Sequence, residues 1–377
     1  MLTDKAHIIR PTWVEIDRAA LRANLRGIKA LVGPDCRVMA VVKAEAYGHG
    51  AAQVAELARA EGIEWFGVAL PEEGIALRQA GVDGNILVFA PFLPEQAATY
   101  FNYDLVPTIT NWESAAALSA EALRRHQKAR AHIKVDTGMG RIGFLAAKGA
   151  AAIERIFSLP GLTVEGIYSH FATADAADLT YARQQLGAFR RVVEELESKG
   201  LNIPLKHIAN SGGILNLPES YFDMVRAGLI LYGMWPSPWC AQGKIVLKPA
   251  FSLKTKVVFV KRVPAGSGIS YGQCYHTSKE TTIATLPIGY ADGWLRALSG
   301  KARVLINGED YPVVGTICMD QCMVDVGDAP VQVGDEVVLI GEQKGKAITV
   351  EEVADHLNTI NYEVVCQISS RVPRIYV

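Results

Sequence analysis

Several features that would place this sequence in a broad functional class are missing from it. The 377 residues carry a formal net charge of −1, so the composition gives no reason to expect a nucleic acid as a partner. No uninterrupted apolar stretch is long enough to span a bilayer. The first residues include Asp4 and Lys5 and contain no apolar stretch of the kind found in signal peptides. We therefore expect a cytoplasmic protein whose partners include neither nucleic acid nor membrane.

Cysteine is scarce, and its spacing does not form a metal-binding pattern. Of the six cysteines only Cys318 and Cys322 are close, and no second pair or histidine spacing completes a zinc site. We expect buried, reduced cysteines and no metal. The chain also lacks a Gly-x-Gly-x-x-Gly fingerprint after its first predicted strand, which argues against a dinucleotide-binding protein.

The first part of the chain, from Trp13 to about Trp235, alternates short β-rich runs with amphipathic helical stretches. The predicted strands are Arg37–Val42, Trp65–Val68, Ile86–Val88, Leu105–Thr108, Ala131–Val135, Val164–Tyr168, His207–Ala209 and Met224–Val225. Among the predicted helices are Ala51–Glu61, Glu113–Arg125, Ala147–Leu159 and Ala182–Lys199. Eight βα repeats favour an α/β fold built on a (β/α)8 barrel over an open doubly wound sheet.

The pattern changes near residue 240. The segment Met234–Gly243 contains two prolines and no periodicity, and the chain after it becomes rich in strands. The predicted strands are Ala250–Val263, Thr281–Leu286, Ala302–Ile306, Tyr311–Val314, Met323–Val326 and Glu336–Ile340, with one helix near Val350–Asn358. We predict a barrel domain over residues 11–240 and a mostly β domain over residues 241–377.

Polar residues follow several of the predicted barrel strands. They are Lys43, Lys134, Asp136–Arg141, Ser169, His170, Asn210, Ser211 and Arg226–Leu229. In a (β/α)8 barrel the functional residues cluster where strands end and βα loops begin. Any one of these residues could be structural, but stability alone does not explain why so many of them converge on one mouth. The convergence predicts an active site there.

Three of these positions suggest specific chemistry. Lys43 ends the apolar run Val38–Val42, and burial of a lysine favours its neutral amine, which can form a Schiff base with an aldehyde. The alternative is an ordinary lysine that extends from the strand end to solvent. Ser211 and Gly228 suit phosphate binding, because a hydroxyl and closely approached backbone N–H groups can bind it.

These segments resemble the alanine racemases, which use pyridoxal 5′-phosphate (PLP), in order along nearly the whole chain. The matching segments are Val41–Gly50, Lys134–Gly143, His207–Ser211, Gly228–Gly233, Ile269–Gly272, Gly289–Gly293, Cys318–Asp320 and Thr359–Glu363. The resemblance implies a (β/α)8 barrel followed by a β domain, which the first residues, 1–10, would join. It also implies a head-to-tail homodimer in which each active site takes Tyr271 and Met319 from the neighbouring subunit.

The resemblance further implies a two-base racemisation of alanine. Lys43 would hold PLP and serve the D-alanine side, and Tyr271 would serve the L-alanine side. The other implied roles are phosphate binding by Tyr47, Ser211, Gly228, Leu229 and Tyr362, cofactor contact by His170 and Asn210, and donation to the pyridine nitrogen by Arg226. Arg141 would contact the phenolic oxygen of PLP and the substrate carboxylate, beside a carbamylated Lys134. Met319 and Tyr362 would narrow the pocket, and the D-alanine would serve peptidoglycan synthesis or alanine catabolism.

The sequence departs from the family pattern at three positions and leaves alternatives open. Glu45 stands where Asn or Asp is frequent, Ala227 where Pro is usual, and Thr316 where Arg is common. The alternatives are a racemase for serine or larger amino acids, a non-catalytic PLP-binding protein, and a decarboxylase. The second domain and Tyr271 argue against a binding protein, and a decarboxylase would be expected to use a cysteine and acidic residues instead of Tyr271.

Overall fold

The computed structural model describes residues 9–240 and 243–377. Contacts divide the chain into two units. The barrel unit comprises Leu21–Ala46 and Ala51–Lys248. The sheet unit comprises the described residues up to Ala20, together with Tyr47–Gly50 and Pro249–Val377. Most of the segment 1–10 lies outside the described residues, but Arg10 is described and belongs to the sheet unit.

The described residues up to 240 alternate strands and helices. The strands are β1 (Thr12–Ile16), β2 (Arg37–Val41), β3 (Trp65–Val68), β4 (Asn85–Val88), β5 (Thr108–Ile109), β6 (Ala129–Asp136), β7 (Phe144–Leu145), β8 (Leu162–Tyr168), β9 (Leu205–His207) and β10 (Met224–Ala227). The helices are α1 (Arg18–Val32), α2 (Lys43–Gly48), α3 (Ala51–Ala60), α4 (Pro71–Gln79), α5 (Ala97–Asn102), α6 (Trp112–Arg124), α7 (Ala150–Phe157), α8 (Thr180–Ser198) and α9 (Ser211–Asn216).

Parallel pairing closes the strands of the barrel unit into a ring. Hydrogen bonds join them in the orders β10-β2-β3-β4 and β5-β6-β8-β9. A bridge between Leu87 and Val106 connects the two groups at one seam. At the other seam the Arg226 amide donates to the Ala209 carbonyl at 2.9 Å. The (β/α)8 barrel expected from the sequence is confirmed.

The interior of the barrel is filled by large side chains from successive strands. Met39, Trp65, Leu87, Tyr168 and Met224 belong to one buried cluster, in which no buried member is more than 5% exposed. Burying a large apolar side chain stabilises the fold by about 1.5–3 kcal/mol. The centre of the barrel is therefore closed, and the chemistry is confined to the ends of its strands.

Two predicted barrel strands overlap the observed ones by a single residue. Leu105–Thr108 is observed as β5, and His207–Ala209 is observed as β9. Both are short strands whose ends are set by hydrogen bonding to neighbours in the sheet, which periodicity does not reveal.

The sheet unit is built mainly from antiparallel strands. After residue 243 the elements are β11 (Phe251–Lys256), β12 (Phe259–Val263), β13 (Gly268–Ile269), β14 (Tyr275–His276), β15 (Thr281–Leu286), β16 (Arg303–Ile306), β17 (Glu309–Val314), β18 (Cys322–Gly327), β19 (Glu336–Gln343), β20 (Lys346–Ile348), α10 (Val350–Leu357), α11 (Asn361–Gln367) and β21 (Arg374–Tyr376). The long sheet runs in the order β12-β15-β18-β17-β16-β19-β11-β1-β21. The run Ala250–Val263 therefore forms two strands with different neighbours.

The contact-defined units differ from the sequence-based boundaries at both ends of the barrel. Strand β1 pairs with β11 and β21 in the sheet unit, although the barrel was expected to begin at residue 11. At the other end the barrel unit continues to Lys248, where the Asn24 side chain accepts from the Lys248 amide at 2.7 Å. These partners are far apart along the chain, so local patterning does not reveal them.

Several simple features of the described residues bear on function. Among them, no helix combines the length and the hydropathy that crossing a bilayer requires. Nor do they bring together three or more side chains of the kind that hold a metal ion. All the cysteines are free thiols, and Cys318 and Cys322 are not joined.

Candidate active site

The carboxyl ends of the barrel strands bring most of the predicted barrel residues to one mouth. Lys43 follows β2, Lys134 lies near the end of β6, and His170 follows β8. Ser211 begins α9 after strand β9, and Arg226 lies in β10. Because all these strands are parallel, their carboxyl ends meet at the same face of the barrel.

Arg226 is a buried side chain of this mouth with several hydrogen-bond partners. It is 3% exposed, and its guanidinium donates to the carbonyls of Ser169 and Ile208 at 2.9 and 3.0 Å. It also lies 3.0 Å from Nδ1 of His170 and 3.0 Å from Nδ1 of His207. Burial lowers the pKa of Arg226 to about 10, so the guanidinium remains cationic at neutral pH.

The histidines beside Arg226 act as acceptors. An arginine can only donate hydrogen bonds, so Nδ1 of His170 and Nδ1 of His207 each present a lone pair to it. Burial, followed by the charge of Arg226, holds the pKa of both histidines well below the ordinary value. Both imidazoles are therefore neutral near pH ~7 and carry their proton on Nε2.

Lys134 is a buried lysine among cations. It is 3% exposed, and its Nζ lies 4.5 Å from the centre of the Tyr168 ring. Burial, followed by the charges of Arg226 and Arg141, lowers the pKa of Lys134 well below the ordinary value. The structure thus favours the neutral amine at this position, and Arg141 lies in the loop that follows strand β6.

The chain after Lys43 forms a left-handed turn. The residues from Ala44 to Tyr47 have φ values between 51° and 56°, and none of them is glycine. A left-handed conformation costs roughly 1–2 kcal/mol for each such residue. The Glu73 carboxylate offsets part of this cost by accepting from the Ala44 amide at 2.6 Å, and Glu45 accepts from the Ala51 amide at 3.3 Å. Such strain is frequent at functional sites.

The ends of strands β9 and β10 place a hydroxyl beside a glycine amide. The Gly228 amide donates to the Ser211 hydroxyl at 3.2 Å, and Leu229 begins a short helical turn whose first N–H groups have no partner within that turn. The Asn210 side chain caps α9 by accepting from the Gly213 amide at 3.0 Å. In this arrangement Asn210 orients the loop that carries Ser211. Ala227 ends β10 and pairs with Ala40.

The segment directly after the left-handed turn belongs to the sheet unit. There, the rings of Tyr47 and Tyr362 lie 5.9 Å apart. Arg374 donates to the Gly48 carbonyl at 3.0 Å, and the Tyr376 hydroxyl donates to the His49 carbonyl at 3.0 Å. Strand β21 therefore holds the glycine-rich loop in place. Two of the predicted phosphate ligands, Tyr47 and Tyr362, lie near each other in the same unit.

Tyr271 and Met319 are exposed on the sheet unit, with 74% and 53% of their surfaces accessible. Tyr271 lies between two residues of positive φ, Ser270 at 66° and Gly272 at 71°. The Thr316 hydroxyl donates to the Tyr271 carbonyl at 3.0 Å, so this departure from the family pattern supports the same turn.

Sequence reasoning missed several polar residues at the barrel mouth or buried behind it. They are Glu73, His132, Glu165 and His207, together with Tyr168, whose hydroxyl bonds to Thr108 at 2.9 Å. Tyr168 was noticed only as a strand residue, and His207 only as a strand residue and as the start of the matching segment His207–Ser211. The alternation of side chains along β6 puts His132 on the same face as Lys134, a signal that could have identified it.

Comparison with known proteins agrees with the motifs along the chain. Family models of the alanine racemase N-terminal and C-terminal domains match residues 16–236 and 250–376. An alanine racemase of Desulforamulus reducens is 48% identical over 369 residues, which is 97% of this chain and 99% of the relative. An alanine racemase structure from Clostridium difficile 630 has a TM-score of 0.94 and 42% identity, covering 98% of this chain and 96% of that one.

A second kind of racemase has the same fold. The structure of a histidine racemase from Leuconostoc mesenteroides has a TM-score of 0.91 and 31% identity, covering 98% of both chains. The overall fold therefore does not distinguish alanine racemases from this histidine racemase. The match to both family models and to full-length relatives confirms the resemblance inferred from the motifs, and the chain belongs to the alanine racemase family.

Proposed function

We propose that this protein is a PLP-dependent racemase that interconverts L-alanine and D-alanine. The observation that carries the proposal is the barrel mouth, where Arg226 is a buried cation bonded to neutral His170. Lys43 follows β2 at the same face. A stabilising role alone does not account for a buried arginine, a buried lysine and a strained turn at one place.

The residues of the barrel unit fit PLP, which presents an aldehyde, a pyridine nitrogen and a phosphate. The Lys43 amine suits the aldehyde, and a guanidinium N–H of Arg226 suits the ring nitrogen. The Ser211 hydroxyl and the amides of Gly228 and Leu229 suit the phosphate. Tyr47 and Tyr362, with rings 5.9 Å apart, are proposed as further phosphate ligands.

In the proposed mechanism two groups of this chain exchange the proton on the substrate Cα. PLP, when bound, stabilises the negative charge that develops on that carbon. The Lys43 amine removes or returns the proton on the D-alanine side, and Tyr271 of the partner subunit does so on the L-alanine side. A phenol has an ordinary pKa near ~10 and acts as a base near neutral pH only if a nearby cation stabilises its phenolate. Buried Arg226 is proposed to supply that cation, and neutral His170 accepts a hydrogen bond from it.

Arg226 also controls the ring nitrogen of the cofactor. Because its pKa is about 10, it donates a hydrogen bond at neutral pH without giving up its proton. A donor at this position would keep the ring nitrogen of bound PLP unprotonated, so the cofactor would withdraw electrons less strongly. Arg226 would thereby exchange some rate for fewer side reactions.

Lys134 is proposed to be carbamylated. Its neutral amine attacks CO₂, a C–N bond forms, and one proton is released to give a carbamate anion. The anion would place a negative charge where the structure favours a neutral amine, beside the cations of the mouth. It would then orient Arg141, which we propose to bind the substrate carboxylate and the phenolic oxygen of PLP.

Alanine is the proposed substrate because Met319 of the partner subunit and Tyr362 would leave room for only a small side chain. A pocket distinguishes one methylene by only ~1–3 kcal/mol, so serine is expected to react slowly. A larger substrate is the second candidate, since the histidine racemase shares the fold at a TM-score of 0.91.

The biological setting follows from the proposed reaction. D-alanine would supply peptidoglycan synthesis, or the same equilibrium would serve alanine catabolism. We further propose a cytoplasmic homodimer with active sites shared between subunits. The exposed Tyr271 and Met319 support such sharing, because each would meet its substrate only across an interface.

The test is chiral chromatography of the PLP-loaded protein incubated separately with L-alanine, L-serine, L-lysine, L-arginine and L-histidine. We expect rapid racemisation of alanine that is lost in Lys43→Ala and reduced by orders of magnitude in Tyr271→Phe. Borohydride reduction should attach PLP to Lys43, which mass spectrometry of peptides would locate. Turnover of another amino acid but not alanine would overturn the substrate, and no turnover with bound PLP would indicate a binding protein.

A further inference from the structure

A chain of buried polar side chains leads from Arg226 away from the barrel mouth. The Arg226 guanidinium lies 3.0 Å from Nδ1 of His207. Nε2 of His207 lies 2.9 Å from Nδ1 of His132. Both histidines are 0% exposed, and the His207 ring stacks on Tyr168 at 4.8 Å with 3° between their planes. The rings therefore have little freedom to reorient.

The direction of every hydrogen bond in this chain follows from Arg226. Since arginine only donates, His207 accepts at Nδ1 and carries its proton on Nε2. That proton is donated to Nδ1 of His132, so His132 carries its own proton on Nε2. Burial, followed by the charges of Arg130 and Arg226, lowers the pKa of His132 to about 3, and His132 is therefore neutral at neutral pH.

The far end of the chain meets a carboxylate. Nε2 of His132 lies 3.9 Å from Oε2 of Glu165, which is too long for a hydrogen bond. Within the part of the chain that the structure describes, both atoms are buried and neither has a hydrogen-bond partner. The other oxygen of Glu165 accepts from Arg130 at 3.4 Å. A small rotation of the Glu165 side chain would join the two atoms.

We propose that Glu165 and His132 are positioning residues for Arg226. The Glu165 carboxylate holds the His132 proton on Nε2, so that Nδ1 of His132 accepts from His207. His207 then carries its proton on Nε2, and its Nδ1 lone pair faces the guanidinium. The result is a fixed guanidinium plane at the barrel mouth. The effect of Glu165 on the histidine tautomers is argued from the geometry alone. Its effect on the bound cofactor rests on the proposed function.

The Glu165→Gln variant removes the negative charge of the Glu165 side chain but keeps its size and shape. Arg130 only donates, so it attracts the amide oxygen of the new side chain and leaves the NH₂ group facing His132. A donor there favours the tautomer of His132 with its proton on Nδ1. His207 must then turn its own proton toward Arg226, where two donors would face each other.

The first measurement is the tautomeric state of the histidines by ¹⁵N NMR of the full chain labelled with [¹⁵N]histidine, with and without PLP. We expect Nε2–H tautomers for His132 and His207 in the wild type and a switched His132 in Glu165→Gln. Glu165→Asp should restore the wild-type pattern, because it keeps the carboxylate. Glu154→Gln is the matched control, since Glu154 pairs with Lys199 at 2.8 Å on the surface.

The second measurement is cofactor binding and turnover. In Glu165→Gln we expect the PLP dissociation constant to rise by about tenfold, the lower end of the effect that lost outer-shell hydrogen bonds have at metal sites. We also expect a shifted absorbance maximum of bound PLP and a lower kcat with little change in KM. A merely structural role would not move the absorbance or be rescued by Glu165→Asp.

Each outcome has a distinct meaning. Unchanged tautomers in Glu165→Gln would overturn the proposal. Switched tautomers with unchanged absorbance, affinity and kcat would overturn the link to Arg226. If the wild type bound no PLP or racemised nothing, the proposed function would fail, whereas the NMR result would still decide the role of Glu165 in fixing the tautomers.

Discussion

At the scale of single residues, the surroundings of Lys134 determine the protonation state of its amine. Its amine lies over the Tyr168 ring, and burial with two nearby arginines lowers its pKa. We expect a ¹³C carbamate signal in buffer containing ¹³C-bicarbonate, because only a neutral amine reacts with CO₂. The signal should be absent in Lys134→Met and retained in Lys148→Met, where the lysine is exposed. Full activity in CO₂-free buffer without the signal would contradict the carbamate.

His132 makes a second prediction, on stability against pH. Its folded pKa of about 3 lies below the ordinary 6.5, so the unfolded chain binds more protons between these values. Stability therefore falls as the pH drops through this window, by about 2 kcal/mol per such histidine between pH 7 and 5. In His132→Asn, urea unfolding should show a smaller loss over that range.

The matched control for this measurement is His126, which is exposed and has a φ of 53°. Asparagine tolerates that conformation, so His126→Asn should fold normally. Its loss of stability on acidification should equal that of the wild type. If His132→Asn gave the same slope as His126→Asn, the low folded pKa of His132 would be contradicted.

Among the elements, the left-handed turn after Lys43 is the most strained. Glu45 has a φ of 54°, a conformation that asparagine adopts more readily than glutamate. We expect Glu45→Asn to raise the free energy of unfolding by roughly 0.5–1 kcal/mol. Glu56→Asn in helix α3 should instead lower it, because asparagine is a poorer helix former. Thermal melting of both variants decides the sign.

The same Glu45→Asn variant tests whether the negative charge of Glu45 affects the pH dependence of racemisation. Glu45 places a negative charge close in sequence to Lys43, so removing it should shift the pH–rate profile of racemisation. Superimposable profiles for wild type and variant would show that the charge has no influence. Greater stability without a shifted profile would leave backbone strain as the reason that Asn or Asp is frequent at this position.

Glu73 is expected to hold this turn in place. Its carboxylate accepts from the amides of Ala44 and Ala69 at 2.6 Å each and from Leu70 at 3.1 Å. Glu73→Ala should cost about 1–3 kcal/mol of stability and increase hydrogen exchange at the Ala44 amide. Glu72→Ala is the control, because Glu72 lies in the same first turn of α4. Equal exchange in the two variants would contradict this role.

For the whole molecule, the central prediction concerns sharing of sites between subunits. Lys43→Ala and Tyr271→Phe should each be nearly inactive as homodimers. Random mixing of the two chains yields heterodimers in half of the population, each with one intact site, so activity should return to about a quarter of wild type. Chiral chromatography of co-expressed chains measures this. No recovery in a mixture shown by mass spectrometry to contain heterodimers would place Lys43 and Tyr271 in the same subunit's site.

Much of the molecule follows from local patterns in the sequence. The run Arg37–Val42 predicted β2, and Thr281–Leu286 predicted β15, because a buried or alternating apolar run has few other ways to satisfy its backbone. The polar residues after the barrel strands, such as Lys43 after Arg37–Val42, predicted the barrel mouth, since parallel strands of one barrel end at the same face. The barrel, the strand-rich second part and the residues of the barrel mouth were thus encoded within short windows.

The tertiary structure decided what depends on distant neighbours. Thr12 bonds to Thr255, 243 residues away, which takes β1 out of the barrel. The turn from Ala44 to Tyr47 has no glycine, so its conformation is set by contacts such as that with Glu73. The burial of Lys134 and the tautomers of His132 and His207 arise only when strands β6, β8, β9 and β10 take their places around the barrel. Protonation and strain are set by surroundings in space, whereas strand identity is set by neighbours along the chain.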